Sequence, residues 1–347
     1  MKPIVSVIIP TYNRAALVQR AIESVLAQTH DGIEVIVVDD GSNDGSAERL
    51  GLRYGDDARV TSIATDHRGA AAARNVGLTA VSGSHVAFLD SDDEWYQWKL
   101  QFQLECLDAV PEAGMIWSDM AAVDPDGVLV APRHIRTLYR RHREIRLTDV
   151  MKARSVTPPG SESVSLWWGD LYPTMIHGNL VHTSTVLLTR ERLDAVGGFD
   201  ESLIETGEDF DFHLRTCREG PVAFVDVSTT VWRTGAPDQL TRPDLMVQMA
   251  RNYVATIEKA KRDDPGRLSE RELTKALAGA HGWLGEELLE AGSAPEARLH
   301  LRGALRGRHR IRTTALLLLS RLPMAVREPV RRALASITRP FRRRSAG

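Results

Sequence analysis

The sequence predicts an α/β fold, a mostly parallel sheet with helices on both faces, followed by a helical C-terminal region. Three observations predict it. Up to about residue 120, continuous β-rich apolar runs alternate with segments of helical period. The runs carry no polar alternation, as befits strands covered on both sides. Two acidic clusters stand directly after two of these runs, where open α/β sheets bind their ligands.

The elements follow in order. Ile4 to Ile9 is the first apolar run, and Thr11-Tyr12-Asn13-Arg14 leads into a helix with Leu17, Ala21, Ile22, Val25 and Leu26 on one face. Ile33 to Val38 is a second strand, ended by Asp39-Asp40-Gly41-Ser42. Ser46 to Leu52 reads as helix and Arg59 to Ala64 as a third strand. A small-residue helix runs from Gly69 to about Val81. His85 to Leu89 is a fourth strand and runs into Asp90-Ser91-Asp92-Asp93, and Met115 to Trp117 is another. From Pro132 to about Pro173 periodicity is weak, and Pro158-Pro159-Gly160-Ser161 interrupts it, which predicts an irregular functional loop or lid. Strand Ser184 to Thr189, helix Glu191 to Val196, helix Glu208 to Arg218 and strand Val222 to Trp232 complete the first part. Beyond Gly235 the pattern is helical, so two domains are expected, 1–235 and 236–347.

With 43% hydrophobic and 26% charged residues, the chain can bury a sizeable core. Its two cysteines, Cys106 and Cys217, make neither a disulfide framework nor a cysteine zinc site, and a reducing compartment is expected. The apolar run at the N-terminus is too short for a signal peptide, and no stretch reaches the roughly 18 apolar residues of a membrane span. A cytoplasmic location is therefore expected. The net charge of −2 hides an asymmetry: residues 301–347 hold thirteen arginines, no lysine and one acid, Glu328. That basic tail predicts an anionic partner.

The acidic clusters carry the chemistry. Asp90 and Asp92, two residues apart beyond a strand, can hold Mg²⁺ or Mn²⁺ together with the oxygens of a diphosphate. They can equally form a turn with helix-capping carboxylates. Asp39-Asp40 can accept hydrogen bonds from a base or a ribose, or simply build the turn that Gly41, Asn43 and Gly45 suggest. Arg74 stands on the small-residue helix, either facing a diphosphate or solvated. Glu208-Asp209, after Gly207, is either a capping pair at a helix start or the general base for an acceptor hydroxyl.

Taken in order, Val5-Ser6-Val7-Ile8-Ile9-Pro10-Thr11-Tyr12-Asn13-Arg14, Val37-Val38-Asp39-Asp40-Gly41-Ser42, Arg74-Asn75-Val76-Gly77, Phe88-Leu89-Asp90-Ser91-Asp92-Asp93-Glu94-Trp95, Gly197-Gly198-Phe199-Asp200-Glu201 and Gly207-Glu208-Asp209 resemble the inverting family 2 glycosyltransferases with a GT-A fold. The resemblance covers about Ile4 to Arg233. It implies a nucleotide-sugar donor and a sugar or lipid-linked acceptor, in polysaccharide, cell-envelope glycan or glycolipid synthesis. It implies that Pro10, Thr11, Tyr12 and Arg14 lie beside the nucleotide, that Asp39 contacts the base, and that Arg74 and Ser91 belong to the donor site. Asp90 and Asp92 then form the D-x-D element that binds Mg²⁺ or Mn²⁺, and Asp209 is the catalytic base, supported by Glu208. One departure is visible: where many members have a histidine after the last strand, this chain has Gly235 in Val231-Trp232-Arg233-Thr234-Gly235.

Trp167-Trp168 are either an acceptor platform or core, and His177 and His182 either ligands or structural. The tail, with Leu316 to Leu319, Val326, Val330, Leu334 and Ile337 among its arginines, reads as basic amphipathic helices for an anionic membrane surface, peripheral at the inner face of the plasma membrane. A helical appendage packed on the body, or a dimerisation element, is the alternative. Nucleic acid is not expected, because the body is acidic and Phe341 is the tail's single aromatic. The chain lacks the glycine-rich first turn of a dinucleotide oxidoreductase and any P-loop. A sugar nucleotidyltransferase and a catalytically weak nucleotide-sugar-binding scaffold are the competing classes.

Overall fold

The computed structural model describes residues 5–235, 242–263, 266–307 and 311–322. The chain divides into two compact units, Met1–Ala236 and Pro237–Gly347. Unit one opens with β1 (Val5–Thr11), α1 (Ala15–Leu26), β2 (Ile33–Asp39), α2 (Ser46–Tyr54), β3 (Val60–Ala64), α3 (Ala70–Thr79) and β4 (His85–Phe88). These four strands pair in parallel in the order β3-β2-β1-β4. Strand β1 is buried at every position, which is why its sequence is apolar without alternation.

The order places β2 on one side of β1 and β4 on the other, so the connections leaving β1 and β4 diverge at the strands' carboxyl ends. A crevice opens at such a switch point. Register fixes its lining: Thr11 lies beside Asp39, and Ile8 beside Phe88, two residues before Asp90. Helix α3 lies close on β1, because a Cβ at Gly77 would stand 2.6 Å from Ile8 Cγ2. The alanines of its first turn, Ala71 to Ala73, are buried.

The sheet continues through β5 (Glu94–Trp95), α4 (Lys99–Ala109), β6 (Met115–Val123), β7 (Leu129–Ala131), α5 (Ile135–Leu138), α6 (Arg141–Glu144), β8 (Lys152–Val156), β9 (Val164–Gly169), α7 (Tyr172–Met175), β10 (Leu187–Thr189), α8 (Arg190–Val196), α9 (Glu208–Arg218) and β11 (Val222–Arg233). Its full order is β3-β2-β1-β4-β10-β6-β11-β9-β8, with β5 on β11 and β7 on β6. Strand β10 is antiparallel to both β4 and β6, so the mostly parallel sheet is mixed in its second half.

The expected irregular stretch from Pro132 to Pro173 is not irregular throughout. It contains the antiparallel hairpin β8–β9, which extends the sheet from β11. Strand β8 is an exposed edge whose polar residues carry no burial signal, and Pro158 to Ser161 forms its turn, with Gly160 at φ +66° and Ser161 N–H bonded to Pro158 O. Trp167 and Trp168 belong to β9, and Trp168 packs against the core. The expected strand from Ser184 begins only at Leu187, after a 3₁₀ turn at Thr183–Thr185.

Unit two is helical: α10 (Met246–Asp263), α11 (Glu270–Glu290), α12 (Ala294–Gly307) and α13 (Ile311–Leu319). A capping box between Ser269 and Glu272 starts α11. Gly285 lets α12 approach closely, a Cβ there falling 2.7 Å from Leu301 Cγ. The tail beyond residue 322 lies outside the described residues.

The tight seating of α3 is testable. Gly77→Val forces bulk against Ile8 and should destabilise the chain by about 1–3 kcal/mol, read as a lower urea midpoint at unchanged slope. An unchanged midpoint would show that α3 does not rest on β1 in this way.

Candidate functional site

The crevice beyond β1 and β4 collects most of the residues singled out in the sequence. On the β1–β2 side, Thr11 is buried and its Oγ1 has no hydrogen-bond partner among the described residues. Tyr12 is 40% exposed and stacks on His67, ring centroids 3.9 Å apart. Asp39, buried, accepts from Ser42 N–H at 2.9 Å, which folds the turn after β2. Asp40 acts elsewhere. Its carboxylate accepts from the N–H groups of Arg68 and Gly69 and thereby orders the loop before α3. Pro10 and Ser91 are buried in the walls.

On the β4 side, ion pairs distribute the acids. Arg14, just ahead of α1, meets Asp92 at 2.9 Å. Arg74 is 4% exposed, and its two terminal nitrogens each donate at 2.7 Å, to Asp90 and to Glu208. Of the two expected alternatives for Arg74, solvation and a diphosphate contact, burial removes the first: its guanidinium lies between two carboxylates. Asp93 receives His182 Nε2 at 3.3 Å. Asn179 Nδ2 donates to Asp209 at 3.2 Å. Carboxylates from β4 and from the start of α9 thus face one space, although 119 positions separate Asp90 from Asp209.

Their protonation reflects the crowding. Burial would push Asp90 up, but Arg74, with His182 and Arg14, holds it below the usual carboxylate range. Burial and the neighbouring Asp93 raise Asp92 to about 7, against the opposing charge of Arg14. Burial and the adjacent Glu208 raise Asp209 to about 6. Burial opposes charge on His182, yet the bond to Asp93 and the carboxylates of Asp90 and Asp209 hold its pKa above the ordinary value.

Asp90, Asp93 and His182 each offer a ligand atom within 4.8 Å of the others, the one such group among the described residues. The two carboxylate oxygens suit Mg²⁺ or Mn²⁺, and the imidazole nitrogen favours the softer Mn²⁺ of the two. The grouping differs from the expected Asp90–Asp92 pair, because Asp92 turns toward Arg14 while Asp93 turns inward. It also supplies an imidazole from the segment before β10, whereas Gly235, after β11, sits at φ +86° beside Pro125. Asp93, Asn179 and the role of His182 carried no local signal, since their partners lie 30 to 89 positions away.

Comparison with known proteins agrees with this geometry. Residues 6–150 match the model of the glycosyl transferase family 2. An uncharacterised glycosyltransferase of Rickettsia felis is 30% identical over 64% of this chain and 33% of its own length. A putative teichuronic acid biosynthesis glycosyltransferase, TuaG of Bacillus subtilis, is 45% identical over 30% of the chain and 42% of its own length. The first five curated relatives are matched over only 28% to 61% of their lengths. Among solved structures, S. aureus TarS 1-349 in complex with UDP-GlcNAc is similar at a TM-score of 0.58, with 19% identity over 92% of this chain and 84% of that one. The mannosyltransferase PcManGT of Pyrobaculum calidifontis, in complex with GDP-Man and Mn²⁺, gives 0.56, with 22% identity over 99% and 83%. The fold is that of the GT-A glycosyltransferases, and residues 6–150 carry the family 2 match.

The raised carboxyl of Asp209 predicts a pH-dependent cost. An acid whose pKa is about 6 when folded and about 3.8 when unfolded binds more protons in the folded state between those values, so stability falls as pH rises through that window. Asp209→Asn should therefore raise the melting temperature at pH 7.5, by an amount corresponding to about 1–3 kcal/mol, with the gain vanishing near pH 4. A gain that is equal at both pH values would contradict the assignment.

Proposed function

We propose that this chain is a family 2 glycosyltransferase, moving a sugar from a nucleoside diphosphate, UDP in the simplest case, to an acceptor hydroxyl with inversion, in the synthesis of a cell-envelope glycan or glycolipid. One observation carries the reading: Asp90, Asp93, Glu208 and Asp209 are gathered by Arg74, His182 and Asn179 at the switch point of the sheet. The UDP-GlcNAc and UDP complexes of TarS, the GDP-Man and Mn²⁺ complex of PcManGT and the name of TuaG support it.

In this reading Pro10, Thr11, Tyr12, Arg14 and Asp39 receive the nucleoside, the free Thr11 hydroxyl and the exposed Tyr12 ring being its nearest polar and stacking groups. Asp90 and Ser91 border the diphosphate. Asp90, with Asp92 or with the Asp93–His182 pair, would hold Mg²⁺ or Mn²⁺, and such an ion would supply positive charge against the departing diphosphate. Asp209 takes the proton from the acceptor oxygen, which then displaces the diphosphate from the opposite face in one step. A carboxyl near 6 is ionised at neutral pH and still basic enough to accept that proton. Glu208, locked to Arg74, fixes the turn from which Asp209 projects.

Residues 1–235 are the catalytic domain in this proposal, and 236–347 an appended helical region whose basic end, 301–347, rests on an anionic membrane. Support comes from α13, where Ile311 and Leu318 are exposed, and from Leu322 and Arg321, exposed just after it. No helix among the described residues is long and apolar enough to cross a membrane.

Asp209→Asn should lower transfer about 10²- to 10⁴-fold with Mn²⁺ and the productive donor, while calorimetric binding of UDP is retained. Near-native transfer by the variant would remove Asp209 from the role. In flotation with vesicles containing phosphatidylserine, removal of residues 301–347 should abolish recovery at low salt, and equal recovery of both chains would remove the membrane from the proposal.

A further inference from the structure

The two halves of the crevice come from distant parts of the chain, and two consecutive residues of α3 join them. Arg74 reaches Asp90, at the end of β4, with one terminal nitrogen and Glu208, at the start of α9, with the other. Its guanidinium lies against the Phe199 ring, 5.2 Å from the centroid. Asn75 continues the bridge: its Nδ2 donates to Phe199 O and to Glu201, and its Oδ1 accepts from Phe199 N–H at 2.7 Å. Gly198 admits this contact, since a Cβ there would fall 2.6 Å from Asn75 Oδ1. The segment that carries Asp209 is thus pinned to α3 at three successive places.

We propose that Arg74 is a positioning residue that yokes the donor side of the crevice to the base side, holding the start of α9 so that Asp209 faces the reacting centre. The positioning role fits better than a diphosphate contact, because each terminal nitrogen already donates to a carboxylate and 4% of the side chain reaches solvent. The geometry explains why an arginine stands here. A planar guanidinium spans two carboxylates at fixed angles, which a lysine ammonium cannot do. The role rests on the proposed transfer reaction and adds to it the element that sets the distance between the leaving diphosphate and the base.

The test compares Arg74→Met, Arg74→Lys, Glu208→Gln and the Arg74→Met/Glu208→Gln double variant with the wild-type chain, by steady-state transfer and by calorimetric titration with UDP and Mn²⁺. A yoke predicts that Arg74→Met lowers kcat about 10²-fold, the cost of a base displaced by about 1 Å, while the Kd for UDP stays within about threefold. Because the two side chains act as one unit, the double variant should be no slower than Arg74→Met alone, within about threefold. Arg74→Lys should recover part of kcat, since it keeps the charge and one contact. If Arg74→Met does not fold, Arg74→Lys reports the same split at smaller size. Weakened UDP binding at unchanged kcat would overturn the yoke in favour of a diphosphate contact. A lower melting temperature with unchanged kcat and Kd would overturn it in favour of a purely structural role. A wild-type chain that neither transfers nor hydrolyses any nucleotide sugar would overturn the proposed function itself, and this role with it.

Discussion

A positive charge enclosed between two negative ones holds this site together. Arg74 cannot be buried alone, since an isolated guanidinium out of water costs several kcal/mol, and neither can Glu208. Placed together at 2.7 Å they satisfy one another, and that mutual requirement draws β4 and α9 to the same rim. Arg14 with Asp92 and His182 with Asp93 repeat the arrangement on a smaller scale. Even so, Asp90, Asp92, Asp93, Glu208 and Asp209 outnumber Arg14, Arg74 and His182. Burial first, and the surplus of negative charge with it, raises Asp92 and Asp209.

The sheet supplies the place and the ion pairs supply the contents. With β2 and β4 on opposite sides of β1, the loops after β1 and β4 part, and the residues following them cannot fill the gap. Small residues then bring the covering elements close: Gly77 seats α3 on β1, and Gly198 lets the next segment touch Asn75.

Much of this was legible in the sequence, for physical reasons. Strands covered on both faces must be apolar throughout, so β1 and β2 announce themselves, and an acid directly after such a run can only lie at its carboxyl end. Helix α9 was equally plain from its glycine start and acidic first turn. What stayed hidden were facts of partnership. Arg74 and Glu208 are 134 positions apart, and His182 and Asp93 are 89 apart. Nothing local distinguishes Asp92, turned to Arg14, from Asp93, turned inward. Strand β8 was hidden for the opposite reason: an exposed edge strand of lysine, arginine and serine buries nothing and leaves no periodic mark.

The central claim is that the acids around Arg74 form one site for a cation and a nucleoside diphosphate. Crystals of the chain grown with UDP and Mn²⁺, measured at the manganese absorption edge, test it most directly. The expected result is one strong anomalous peak bound by Asp90, with Asp92 or Asp93 and His182 in its surroundings, and the uracil between Tyr12 and Asp39. Manganese held elsewhere, or a nucleotide bound away from the rim of β1 and β4, would contradict it.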